Sequence, residues 1–460
     1  MGSQGFTEVT RLAAAREELL AAVDPPEASE SVAVPEADGR TLAESVAATR
    51  DVPGFDRAAM DGYAVRAEDT HGASERSPVR LDLVGSAADD GHAADTADSE
   101  RDAADTAADG ERDGADSDPF VGPGQTRYVH TGSPLPDGAD AVVKVERTAE
   151  RGDAVEMSLA VPPGNDVAPA GEDVERGDRL FDAGHRLRVS DLGLLTTTGH
   201  RTVPVAPRPT VSVIPTGEEL VDFDPGYGET TETNGLTVSR LVERWGGDAT
   251  YRDIATDDAE ALAAAIHRDT DHDIVVTTGG SSVGERDLLP AVVDELGELL
   301  VHGVALKPGH PVGFGVVDGT PVLTLPGYPV SCLVTAVQLL RPAIARAGGF
   351  EPESFPAFEA TLDGKIAGEV GTRSFVRVRR TNGSERDESN DDDEDDGRDD
   401  DGGENGDDSD NALPTVEPVR GGAGVLSSVA AADGWVVVPE NLEGVADGNR
   451  VTVQRWEAFV

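Results

Sequence analysis

One cysteine, Cys332, in 460 residues excludes an intrachain disulfide framework and a zinc site built from thiolates. No uninterrupted apolar run reaches the roughly 18 residues that a membrane-spanning helix requires. The opening residues MGSQGFTEVTR have neither the basic start nor the apolar core of a secretory signal, so a cytoplasmic protein without a membrane partner is expected. Lysine is nearly absent: of 38 basic side chains, only Lys144, Lys307 and Lys365 are lysines. Aromatic residues make up 4% of the chain and the formal net charge is −51. Nucleic acid is thereby excluded as a partner, because a polyanion would be repelled rather than held through counterion release.

What is present is enough apolar material, 38% of residues, for real cores, at a length that favours about three domains. The acidity is concentrated in two low-complexity segments, 86–118 and 382–412, rich in Asp, Ser and Gly, yet it extends over the rest of the chain as well. These segments hold too few large apolar residues to offset the entropy of ordering and are expected to be disordered insertions. Scarce lysine and a carboxylate-rich surface resemble proteins of salt-accumulating, haloarchaeal-like organisms.

Apolar periodicity predicts a helix within 1–28, stopped by Pro25-Pro26. From about Val32 to Val205 the pattern changes to short β-prone runs between Gly and Pro turns. Segments 29–50 and 174–208 form one elongated module, and 51–173 a mostly β module. Residues 209–354 alternate strand and helix: a strand at Thr210–Ile214, a helix from Leu236 to Trp245, a strand at Thr250–Ala255, a helix capped by Asp257 with Glu260, and a strand at Ile274–Thr277. That alternation predicts a doubly wound parallel sheet with ligands at the carboxyl ends of its strands. Beyond 355 the β pattern returns and predicts a small barrel or sandwich reaching residue 460.

Three anion-friendly turns fall in the α/β segment. Asp273 to Asp287, DIVVTTGGSSVGERD, runs an apolar strand into a glycine and serine turn that opens a helix. Its bare amides and the hydroxyls of Ser281 and Ser282 suit a phosphate-like anion. Leu306-Lys-Pro-Gly-His-Pro311 and Leu325-Pro-Gly-Tyr-Pro-Val-Ser331 follow. A lysine retained inside KPGHP is a mobile point charge suited to an oxyanion whose geometry changes during reaction. Cys332 follows the third turn without a basic partner and reads as a small buried residue.

With these pieces placed, the chain resembles the MoeA-type molybdopterin molybdenumtransferases, the family that includes the gephyrin E domain. The likeness covers all but the acidic insertions. It is carried by Asp51-Val-Pro-Gly-Phe-Asp-Arg-Ala-Ala-Met-Asp-Gly-Tyr-Ala64, Thr131-Gly-Ser-Pro-Leu-Pro-Asp-Gly-Ala-Asp-Ala-Val-Val143, Gly171-Glu-Asp173, Pro215-Thr-Gly-Glu-Glu-Leu220, GGSSVGERD, KPGHP and LPGYPVS, in family order. The resemblance implies a MogA-like central domain and insertion of molybdate or tungstate into adenylylated molybdopterin, with Mg²⁺ and release of AMP. It implies molybdopterin–nucleotide contacts at Gly279, Gly280, Ser281, Ser282, Gly284, Thr131, Pro326 and Pro329. It also implies oxyanion contacts at Lys307, His310, Pro311, Ser331, Arg373 and Ser427.

Asp287 is the leading catalytic candidate, with Glu218, where the family usually has Asp, as second Mg²⁺ ligand. Asp61, Asp173 and Asp191 match positions that reach the site from a partner subunit, which implies a homodimer with composite sites. Turn formation by Asp61 and helix capping by Asp191 are the structural alternatives. His310 and Tyr328 depart from the family's KPGKP and LPGNP patterns. Two other functions remain open on sequence: the related adenylyltransferases, which share the glycine turn, and a non-catalytic dimeric scaffold.

Overall fold

The computed structural model describes residues 9–85, 120–279, 288–381 and 413–457. Both acidic segments and the glycine turn from Gly280 to Asp287 lie outside them. Leu12–Ala21 forms the first helix. Leu12, Ala15 and Leu19 share one face and pack into the same core as Val211, Val301, Leu340 and Trp435, so this helix docks on the α/β domain. Each fully buried leucine contributes about 1.5–3 kcal/mol.

The elongated module pairs Glu30–Ala33 with Thr202–Val205 and Val46–Ala47 with Arg179–Phe181, both antiparallel, over a core of Val34, Leu42, Leu187 and Leu195. The second module is a six-stranded sheet in the order 141–144, 62–65, 125–129, 79–83, 154–157, 148–151. At the C-terminus, hydrogen-bonded pairing runs from Arg373–Arg380 to Thr415–Pro418, Ala357–Leu362, Arg450–Gln454 and Gly434–Val438. It then returns to Arg373–Arg380. Five strands thus close on themselves and leave no free edge, which is what makes this domain a barrel.

The central sheet has the spatial order 248–251, 210–215, 274–278, 320–325, 313–317, 298–302. The first four strands are parallel and carry the expected winding. Gly313–Val317 runs antiparallel to both its neighbours, returning to Thr320–Leu325 through Asp318-Gly319, both with positive φ (51° and 88°), the backbone of a tight type I′ hairpin. From Thr210–Pro215 the chain winds to one side, to Asp248–Tyr251, and then crosses to Ile274–Thr278 on the other. The carboxyl ends of 210–215 and 274–278 therefore flank the topological switch point.

Two local expectations are corrected. The helix Ala259–Arg268 is capped by Asp258, whose carboxylate accepts from Ala261 N at 3.0 Å, rather than by Asp257. The strand before it is Asp248–Tyr251, shifted toward the glycine pair Gly246-Gly247 that ends the preceding helix, Asn234–Arg244.

The helical segment 329–347 is long and apolar enough to cross a membrane by length and composition, yet 78% of it is buried in the core. It widens into a π turn at Ala336–Leu340 just before Pro342, which has no N–H to continue the regular ladder.

Beneath the sheet, Asp269 is fully buried and accepts from Ser212 Oγ at 2.8 Å and from Arg252 and Arg268. Burial works against its charge, but the bonds from Arg268, Arg252 and Ser212 outweigh it and hold the carboxyl at about 2. A folded value below the unfolded 3.8 means this stabilisation is complete above pH ~4 and is lost as pH falls toward 2. Asp269→Asn is expected to cost about 2 kcal/mol at pH 7, moderated because both arginines reach solvent. Urea unfolding at pH 7 and pH 3 should show the deficit shrinking at the lower pH.

Candidate active site

Three backbone turns meet at the switch point. Thr216 N donates to Thr278 O at 3.0 Å and Gly279 N to Leu325 O at 3.1 Å, which stitches the ends of three parallel strands together. Gly279 has φ 123°, and a Cβ there would meet the Thr216 carbonyl oxygen at 2.0 Å. A Cβ on Gly327 would lie 3.4 Å from Gly279 Cα. The PTGEE and LPGYP turns thus both meet the chain at Gly279, with Pro326 and Pro329 beside that contact. Glu218 is exposed at the end of the first turn. The hydroxyl oxygens of Thr216, Thr278 and Thr324 are buried here without a hydrogen-bond partner.

The KPGHP turn joins from the neighbouring edge. Gly309, φ 119°, sits so close that a Cβ would be 2.5 Å from Thr335 Cγ2 and 3.3 Å from Ser331 O. Ser331 is buried in the first turn of the helix Pro329–Thr335. Lys307 is exposed, its Nζ 3.9 Å from a Glu369 carboxylate oxygen. Leu306–Lys307 pairs in parallel with Arg373–Ser374, so the lysine belongs to an added edge of the C-terminal barrel. Sequence pattern did not reveal that connection, since a two-residue strand has no periodicity to read.

Arg373 donates to Glu440 at 3.0 Å, while its Nε is buried without a partner. Burial pushes His310 below its ordinary value, and the nearby Glu369 and a backbone bond at Val304 oppose that only in part. Pro311 closes the same turn. The barrel also reaches the LPGYP turn, because Val330 N donates to Ala423 O at 3.0 Å. Tyr328 is exposed against the loop holding Gly424, and Ser427 begins the short helix that follows.

Two neighbours escaped the sequence reading. Asn234 opens the helix Asn234–Arg244 and donates to Gly327 O at 2.7 Å. Glu232, buried, accepts from Gly235 N at 2.6 Å and from the Tyr251 hydroxyl. The pair fixes that helix start on the rim, and the signal was present in Thr231-Glu-Thr-Asn234, an acidic and Asn-bearing run just before an amphipathic helix.

A second cluster lies in the 51–173 module. Asp61 Oδ1 accepts from Thr131 N at 2.7 Å and from Thr131 Oγ1 at 3.0 Å. These two bonds, with a smaller contribution from His130, hold this exposed carboxyl below the usual range. Asp173 is exposed on the turn whose backbone bonds Val52, with Asp173 N donating to Val52 O at 3.0 Å. The three N-terminal motifs are therefore neighbours.

Asp191 is not brought to either cluster. It is 5% exposed and caps its own helix, accepting from His185 Nε2 at 2.8 Å and from Arg188 N at 2.9 Å. Burial opposes its charge, and the Arg188 and His185 bonds prevail to keep its pKa low. Gly280, Ser281, Ser282, Gly284 and Asp287 lie outside the described residues. Cys332 is fully buried and its thiol is pushed up by burial.

A wound α/β sheet with glycine turns meeting at its switch point, joined by a barrel that supplies a lysine and an arginine, defines an enzyme module for anionic, nucleotide-like ligands. Family models match the MoeA N-terminal region (domain I and II) over 10–199, a probable molybdopterin binding domain over 212–346, and the MoeA C-terminal region (domain IV) over 407–456.

A putative molybdopterin biosynthesis protein of Methanocaldococcus jannaschii is 33% identical over 92% of this chain and 91% of its own. Molybdopterin molybdenumtransferase 2 of Mycobacterium tuberculosis is 33% identical over 76% of this chain and 82% of its own. The crystal structure of a molybdopterin biosynthesis MoeA protein from Pyrococcus horikoshii superposes with TM-score 0.76 at 32% identity, covering 98% of this chain and all of that one. The chain belongs to the MoeA family.

Proposed function

We propose that the protein is a molybdopterin molybdenumtransferase of molybdenum cofactor biosynthesis, inserting molybdate or tungstate into adenylylated molybdopterin with release of AMP. The observation that carries this reading is the backbone contact of Thr216, Gly279 and Gly327 at the switch point, with the Lys307 turn packed against the adjoining helix start. Such a rim holds a pyrophosphate-linked nucleotide through amides, and it leaves a cationic side chain beside it for a tetrahedral oxyanion.

Lys307, His310, Pro311, Ser331, Arg373 and Ser427 are the oxyanion side of the proposal. Gly279, Gly280, Ser281, Ser282, Gly284, Pro326 and Pro329 are its nucleotide side, with Thr131 from the second cluster.

Mg²⁺ is the cation this site would take. Among the described residues no group of three histidines, cysteines or carboxylates gathers as a protein cage. The exposed carboxylate of Glu218 on the rim suits a cation that keeps most of its waters and binds through one or two carboxylates and the substrate's phosphates. Asp287 is the other proposed ligand and the leading catalytic residue, through Mg²⁺ coordination or positioning of the attacking group. When bound, the cation would neutralise the pyrophosphate charge.

In a homodimer, the Asp61, Thr131 and Asp173 cluster, whose two aspartates are exposed, would face the partner's rim. A cytoplasmic, salt-adapted setting accords with the composition.

In concentrated KCl, purified protein given adenylylated molybdopterin, Mg²⁺ and molybdate or tungstate is expected to release AMP in response to the oxyanion. Asp287→Ala is expected to abolish that release. Equal release with and without oxyanion would instead identify a simple pyrophosphatase, and none at all a scaffold.

A further inference from the structure

At the opposite end of the α/β domain from the rim lies a cavity of about 570 Å³. The helix Asn234–Arg244 starts at the switch point and ends in this cavity's wall with Arg244 and Trp245, so the two sites are separated by the length of that helix. Three modules supply the walls: Arg186 from the elongated module, Arg244, Trp245 and Arg341 from the α/β domain, and Trp456 after the barrel. In a chain of net charge −51, this gathering of arginines around one concavity is against composition.

Their partners matter. Arg188, also in the wall, is paired with Asp191. Arg186 and Arg341 have no carboxylate within 4.0 Å among the described residues. Arg186 Nε donates to Gly39 O at 3.2 Å, and Arg341 donates to the Glu353 carbonyl. Each guanidinium lies on an aromatic face, Arg186 4.7 Å from the Phe350 ring centre and Arg341 4.2 Å from that of Phe355. Burial lowers the proton affinity of both, and the charge of Arg186 weighs further on Arg341; the carboxylates of Asp38 and Glu353, which line the same cavity, act the other way. Trp245, 4% exposed, lines the wall, and its buried indole N–H has no hydrogen-bond partner. Two oriented cations, an unspent donor and apolar walls of Phe350 and Phe355 match an anion carried on a flat apolar body.

We propose that this cavity binds an organic phosphate of mononucleotide size, with the phosphate between Arg186 and Arg341 and the ring system against the Phe350, Phe355 and Trp245 wall. The site does not depend on the metal-insertion reading. Because its walls come from three modules, its occupation ties them together.

Calorimetric titration of the full chain with AMP, using inorganic phosphate and adenosine as comparators, tests this. The expected result is saturable AMP binding at least about tenfold tighter than either comparator. It should weaken about tenfold or more in the Arg186→Gln/Arg341→Gln double variant. Trp245→Phe, which keeps the wall's shape and removes the donor, should weaken AMP by a smaller factor and serves if the double variant does not fold. Absence of saturable AMP binding, AMP and phosphate binding alike, or binding unchanged in these cavity variants would each overturn the proposal; the last would move the site to the rim.

Discussion

Gly279→Ala is expected to unfold the switch point and to remove oxyanion-dependent AMP release altogether. The backbone here has φ 123°, a region that residues with a Cβ enter at a cost of about 1–3 kcal/mol. The Cβ would also be placed 2.0 Å from the Thr216 carbonyl oxygen, and that oxygen is main chain at the end of the adjoining strand, so no side-chain rotation relieves the contact. Relief requires the two strand ends to part, which breaks the Thr216 N to Thr278 O bond and opens the rim.

The expected loss exceeds about 3 kcal/mol, with most of it beyond the backbone term. Gly177→Ala is the matched control: its φ is 98° and a Cβ there meets nothing within 4 Å. It should cost about 1 kcal/mol and leave activity unchanged. Thermal unfolding of both variants beside the AMP assay separates the terms. Equal losses at the two glycines would mean that the close approach at Gly279 does not matter.

How much of this was legible follows from which interactions are local. The parallel core announced itself because Thr210 to Ile214 and Ile274 to Thr277 are short apolar runs bounded by glycine turns, and the helices between them have a clear apolar stripe. The closed barrel and the Leu306–Lys307 pairing with Arg373–Ser374 were not legible in that way, since register between segments 67 residues apart leaves no mark on either one.

The glycine turns were found as anion-friendly, yet their mutual contact is a product of strand order, which no single turn encodes. Capping separated two aspartates that looked alike in sequence. Asp191 spends its carboxylate on Arg188 and His185, whereas Asp61, bonded to Thr131, remains exposed. The difference is burial, and burial is set by how the modules pack.

Lys307→Ala is expected to raise the molybdate concentration needed for half-maximal AMP release about tenfold to a hundredfold at pH 7.5, from the loss of a charge-assisted contact of about 1.5–3 kcal/mol. The size of this effect rests on how little other charge the turn has. Arg373 is paired with Glu440, Glu369 stands beside Lys307, and His310 is held below its ordinary 6.5 by burial, so it is neutral at pH 7.5.

The sign with pH follows. Protonated His310 adds a positive charge to the turn, so anion capture should strengthen as pH falls through the depressed His310 value and stay flat above about pH 6.5. The bound anion favours the protonated ring in return, which moves the upturn toward higher pH as molybdate is raised.

His310→Lys supplies a permanent charge at that position. It should lower the molybdate requirement above neutrality and erase the upturn, while Lys307→Ala keeps the upturn and shifts the whole curve to weaker binding. Half-maximal molybdate measured from about pH 5.5 to 8 in constant salt distinguishes these. An upturn that survives in His310→Lys would place its origin in the substrate or another group. An unshifted curve in Lys307→Ala would remove the lysine from anion capture.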